Sequence, residues 1–140
     1  MENQKKSILI LGNGKSLSEY PFPYYQIDTI GMNHAYRYWN RINWYPTYYV
    51  SVDHEMNTYF SKDIYKLVKF RKENGIKKFL LSRVILEFQP KLKKAKHASA
   101  IYFIEDLEKK SGTGFPNSTY LKTAGSISTR FAIFLNYQKI

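Results

Sequence analysis

The chain has 140 residues, which suits a single domain long enough to bury a core without covalent staples. It contains no cysteine, so a disulfide framework and a thiolate metal site are both excluded, and no apolar run approaches the length of a membrane span. The formal charge is +11, and residues 61 to 96 hold twelve Lys and Arg against three acids (Asp63, Glu73, Glu87), so this segment supplies +9 of it. A basic face of that kind attracts anionic partners: nucleic acid, an anionic membrane surface or phosphorylated small molecules.

In chain order, Ser7 to Leu11 is a short apolar run of the kind that forms a buried parallel strand, and it ends at the turn Gly12-Asn13-Gly14. Tyr20-Pro-Phe-Pro23 interrupts any helix that follows. Asp28 to Met32 is the second strand, with Asn33 at its carboxyl end. His34 to Trp44 is an aromatic helical or irregular segment stopped by Pro46. Thr47 to Val52, rich in β-branched and aromatic residues, is the third strand and ends at Asp53.

A helical period runs from Asn57 to Asn74, with Phe60, Ile64, Leu67 and Val68 on one stripe and Asn74-Gly75 as its C-terminal cap. Lys77 to Leu81 is the fourth strand, and a basic, weakly patterned connection leads to a fifth at Ala100 to Ile104. Lys109 to Thr119 has the composition of a loop. The last helix begins near Gly125, with Ile127, Phe131, Phe134 and Leu135 on one side. Beyond it, Asn136 to Ile140 reads as a turn and the start of a further strand that does not follow. The expected fold is therefore α/β, a Rossmann-like three-layer sandwich with a mostly parallel sheet, truncated at the C-terminus, and residues 1–140 form one such domain of a longer protein.

Ligands of parallel sheets bind outside the carboxyl ends of the strands. Three polar points fall there: the Gly12-Asn13-Gly14 turn, Asn33 and Asp53, which are expected to converge on one crevice. The stretch Leu9 to Ser16, "LILGNGKS", is not a full ATP-binding phosphate loop, because the glycine required five positions before Gly14 is Leu9. It meets the dinucleotide fingerprint at Gly12 and Gly14 but places Leu17 where a small residue packs. What remains is a strand, a tight turn and Ser16 at a helix start, which presents backbone donors to an anion or simply connects two elements. The first turn at Ala124, Gly125 and Ser126 offers a second set of free N–H groups, or an ordinary cap.

The ordered stretches "ILILGNGKSL", "IDTIGMNHAY", "YYVSVDHE" and "TAGSISTRFAIFLNYQKI" resemble the N-terminal nucleotide-binding half of bacterial sialyltransferases of glycosyltransferase family 42 and related glycan-assembly proteins. The resemblance spans nearly the whole chain and about half of that family's length. It implies a CMP-sugar or other nucleotide-sugar donor, a glycan acceptor, a role in bacterial surface polysaccharide or lipooligosaccharide synthesis, and no metal cofactor. By that likeness Asn13 contacts the nucleotide phosphate or ribose, Asn33 bonds near the donor, and Ala124, Gly125 and Ser126 lie against the nucleotide. Lys15 stands where the family has Pro, and Ser51-Val-Asp53-His54-Glu55 where it has an Asn-Pro-Ser stretch. The family's catalytic histidine and phosphate-binding tyrosines lie in a region that nothing in 1–140 matches.

Within the chain itself, His54 is the candidate general base, having a side chain that titrates near neutrality. Asp53 and Glu55, two apart, suggest a divalent-metal pair if the strand persists through them. That pair is central to one alternative, a magnesium-dependent pterin diphosphokinase-like phosphotransferase. A second alternative is a basic, non-catalytic nucleic-acid-binding module built on 61 to 96, although the scarcity of aromatics in Lys91-Leu-Lys-Lys-Ala-Lys96, where stacking would want them, argues against a specific nucleic acid. The expected location is cytoplasmic, peripheral at the inner membrane through the same basic segment.

Overall fold

A computed structural model describes residues 5–13, 27–110, 112–115 and 123–140. Among them six strands form one sheet: β1 (Lys5–Ile10), β2 (Asp28–Met32), β3 (Tyr48–Ser51), β4 (Lys78–Leu81), β5 (Ile101–Phe103) and β6 (Tyr137–Lys139). Their spatial order is β5-β4-β3-β2-β1-β6, and every neighbouring pair is parallel. The expected α/β, Rossmann-like parallel sheet is the observed architecture. One expectation at the C-terminus is corrected, because the strand after the last helix does form. Tyr137 pairs with Lys5 and Lys139 with Ser7, so this segment adds a sixth strand beside β1.

The helices follow from the handedness of parallel crossovers. Steps from β2 to β5 all run in one direction, and right-handed connections then place their helices on one face. These are α1 (Tyr36–Ile42), entered through a 3-10 turn at Asn33–Ala35, then α2 (His54–Thr58), α3 (Ser61–Lys69), α4 (Arg71–Asn74), α5 (Ile85–Phe88) and, after a 3-10 turn at Pro90–Lys93, α6 (Ala95–Ala98). After β5 come α7 (Ile104–Lys109) and α8 (Ala124–Phe134), and the chain returns across the sheet to β6, which puts α8 on the opposite face.

Two hydrophobic clusters record this division. On the α1 side Trp39, Tyr49, Ile64, Val68, Phe79, Leu81 and Ile85 are buried together. On the α8 side Ile8, Ile30, Tyr48, Val50, Leu80, Ile127 and Phe131 are. Alternate residues of β3 and β4 thus feed opposite cores, as strand geometry requires, and each fully buried aliphatic or aromatic side chain stabilises by about 1.5–3 kcal/mol.

The helical run expected over Asn57 to Asn74 is divided into three pieces. Phe60 (φ −108°, ψ 17°) and Phe70 (φ −99°, ψ 20°) leave helical geometry at the two joints. Phe60 is turned so that its ring meets His34 edge-on at 4.4 Å, a contact with β2's end that local periodicity does not register. The C-terminal cap is as expected, with Gly75 left-handed at φ 84°. The weakly patterned 82–99 connection contains α5 and α6, and Ile104, expected to end β5, instead opens α7.

Gly31 is required in mid-strand. A Cβ there would stand 2.0 and 2.3 Å from the Trp39 indole, so only glycine lets that ring lie on the strand.

Candidate functional site: the carboxyl edge of the sheet

The carboxyl ends of β2 to β5 are tied together by a relay of side chains. At the end of β2, Asn33 adopts a left-handed backbone (φ 52°), which asparagine tolerates better than most residues. Its carbonyl accepts from the Tyr49 hydroxyl at 2.8 Å, and its Oδ1 accepts from Ser51 Oγ at 3.2 Å. Asn57, fully buried, donates through Nδ2 to the carbonyls of Ser51 (3.0 Å) and Asp53 (2.8 Å) and accepts the Ser82 amide hydrogen on Oδ1 at 3.1 Å. Ser82 Oγ donates to Glu105 Oε1 at 2.5 Å, and Glu105 Oε2 accepts from the Arg83 amide. The edge is closed by the two-point Arg83–Asp106 ion pair at 2.6 and 2.9 Å.

Next to this framework, where β1 ends, Asn13 lines an open cleft of about 400 Å³ together with His34, Ala35, Arg37, Tyr38 and Arg41. The direction of the sheet's winding reverses at β1, whose neighbours are β2 and β6, and such a switch point is where open α/β sheets take ligands. Among the described residues the lining carries two arginines and no carboxylate. The Arg37 guanidinium lies 5.4 Å from the Phe60 ring centroid, and Arg41 lies 5.9 Å from that of Tyr38. His34 Nδ1 is shielded from water and has no hydrogen-bond partner among the described residues.

The residues expected from sequence are distributed as follows. Gly12 and Asn13 follow β1 after the buried Leu11 and are exposed, Asn13 in the cleft. Gly14, Lys15 and Ser16 lie outside the described residues. Asn33 sits beside the cleft, but its Oδ1 is engaged by Ser51. Asp53, His54 and Glu55 are exposed. The strand stops at Ser51, Asp53 is the residue preceding α2, and Glu55 is in its first turn, so the pair does not share a strand face. Among the described residues no group of three or more His, Asp or Glu side chains is placed to hold a metal.

Ala124, Gly125 and Ser126 form the first turn of α8, and Thr123 caps it reciprocally. The Ser126 amide donates to Thr123 Oγ1 at 3.1 Å, and the Thr123 amide donates to Ser126 Oγ at 3.2 Å. The cap thus occupies the Ser126 donor, while Gly125 is exposed, with open space around the position of a Cβ. This turn belongs to the α8 face, whereas the cleft at Asn13 is walled by α1 on the other.

Sequence reasoning did not select Asn57, Arg37 or Arg41. Asn57 carried no signal beyond its position in a helical run. The arginines had one, since His34, Arg37, Tyr38 and Arg41 recur at helical spacing just after a strand end.

Comparison with protein-family models, with curated proteins and with solved structures gave no match for this chain. Among the described residues no helix is long and apolar enough to cross a membrane.

Proposed function

We propose that this chain is the donor-nucleotide-binding domain of a glycosyltransferase, sialyltransferase-like in its use of a CMP-sugar or related nucleotide sugar, acting in bacterial surface glycan synthesis. The observation that carries the reading is the cleft at the switch point after β1, lined among the described residues by Asn13 and two arginines without a carboxylate. Such a lining favours an anionic small molecule, and a phosphate-bearing nucleotide fits its size and place. The choice of a cytidine nucleotide and of sugar transfer rests on the sequence resemblance.

In that reaction the acceptor hydroxyl attacks the anomeric carbon and loses its proton to a base, and the bond between sugar and phosphate oxygen breaks. The electron pair leaves on the nucleotide phosphate, whose charge the binding site stabilises. His54, exposed at the start of α2, is the histidine to replace first in a search for the base. The same reading places the protein in the cytoplasm against the anionic inner membrane. The basic segment 61–96 supports that, together with the exposed rings of Phe70 and Phe88 within it.

A thermal-shift screen against cytidine, uridine, guanosine and adenosine nucleotides, with and without magnesium, tests the proposal. A metal-independent shift with CMP is expected. A shift that requires magnesium and a nucleoside triphosphate would replace this reading with the phosphotransferase one. Indifference to every nucleotide, alongside salt-sensitive binding of RNA or DNA, would replace it with the nucleic-acid one.

A further inference from the structure

The stripe His34, Arg37, Tyr38, Arg41 runs along the 3-10 turn and α1 and lines the cleft together with Asn13. Arg37 and Arg41 are one helical turn apart, so their charges repel unless an anion lies between them. Neither has an acidic partner: among the described residues the ion pair is Arg83 with Asp106, in another part of the edge. Both guanidiniums are instead backed by aromatic rings, Phe60 behind Arg37 and Tyr38 beside Arg41, which limits their motion; Arg37 also bonds the Tyr36 hydroxyl, which uses only part of its five-donor fork. Phe60 also holds the His34 ring edge-on, with its Nδ1 buried and unbonded beside the cleft. The break between α2 and α3 at Phe60 therefore has a consequence for the cleft, because it sets the wall on which Arg37 and His34 rest.

We infer that Arg37 and Arg41, with Asn13 in the same cleft, form a subsite for a terminal phosphate dianion, that of a nucleoside diphosphate or of a nucleoside monophosphate. The inference deepens the nucleotide reading and rests on it for the identity of the ligand. Planar guanidiniums bond two oxygens of one phosphate side by side, a geometry that lysine cannot reproduce. A phosphomonoester carries about −1.5 to −2 charges at neutral pH, a match for two cations. The intact CMP-sugar carries a single charge on its phosphodiester, so this subsite favours the nucleotide after the sugar has left.

The test uses the full chain and inorganic pyrophosphate as probe, followed by calorimetry and by amide and arginine NMR shifts, at low and at physiological salt. Pyrophosphate should shift the resonances of Asn13, Arg37 and Arg41. Arg37→Gln and Arg41→Gln should each weaken it about tenfold, the double variant should abolish it, and Arg41→Lys should recover part of the loss. Lys109→Gln, an exposed cation outside the cleft, should leave it unchanged. Absence of binding, or equal binding by wild type and the double variant, overturns the subsite, and so does a shift spread over the whole basic surface. If pyrophosphate depends on the arginines but no nucleotide binds, the subsite stands and the nucleotide reading falls. If nucleotides bind the double variant as they bind the wild type, the reading stands and the subsite falls.

Discussion

The Oδ1 of Asn57 accepts the Ser82 amide hydrogen at 3.1 Å, joining the start of one crossover to the end of the next strand, 25 residues away. Because the same amide group also donates to Ser51 and Asp53, one buried side chain satisfies three backbone groups at the carboxyl ends of β3 and β4. Buried polar groups left without partners are costly, so this residue holds the edge against which the cleft is built.

Replacing Asn57 by Ala should therefore destabilise the fold by about 3 kcal/mol, the sum expected when several buried backbone groups lose their partners. Asn57→Asp should be no milder, since a carboxylate would face the Ser51 and Asp53 carbonyls without a hydrogen to give. Urea unfolding measures both. A loss near zero for either variant would show that water replaces the amide.

At Gly31 the expected effect is steric. Gly31→Ala pushes a methyl group into the Trp39 ring, and overpacking of this kind costs about 2 kcal/mol or more. Adding Trp39→Phe to that variant should recover part of the loss, because a smaller ring vacates the space over the strand. A double variant no more stable than Gly31→Ala alone would mean that the clash is relieved elsewhere.

Asn13 and Asn33 should separate by stability. Asn33→Ala places a Cβ-bearing residue without a local hydrogen bond at φ 52°, at a cost of about 1 kcal/mol or more, and Asn33→Gly should be better tolerated. Asn13 is exposed, so Asn13→Ala should leave the melting temperature nearly unchanged while weakening CMP binding in calorimetry. Equal melting temperatures for Asn33→Ala and wild type would show that the left-handed turn does not depend on the asparagine.

The pH profile should fall at both ends. Burial, the Arg71 guanidinium and the charges of Lys96 and Lys94 push the His97 imidazole below its ordinary value of 6.5. The unfolded chain then takes the proton first, so stability is complete above pH 6.5 and declines as pH drops through that value. His97→Gln should flatten this acid limb in thermal unfolding. At the alkaline end burial, reinforced by the bond to Asp63, raises the Tyr36 hydroxyl to about 12, and burial also raises Tyr49 and Tyr137. Unfolded tyrosines ionise near 10, so stability should decline above that pH, and these three should lag in an ultraviolet titration of the phenols. Tyr36→Phe should remove part of the alkaline loss.

The sequence by itself determined the alternation of strands with helical segments, the parallel character of the sheet, and the placement of Asn13, Asn33 and Asp53 beyond strand ends. Each of these follows from hydrophobic runs, glycines and helical periods that act within a few residues. Tertiary structure decided the rest. The sheet order put β6 beside β1, where the Tyr137 hydroxyl donates to Asp28 Oδ2 at 2.5 Å and meets that of Tyr48 at 2.9 Å, across 109 and 89 residues of chain. It also bent the 57–74 helix at Phe60 to support His34 and Arg37, buried Asn57 as a link between strands, and gathered Arg37 and Arg41 into one cleft. Those features depend on which distant side chains meet once the sheet is closed, and a local pattern of residues carries no record of such meetings.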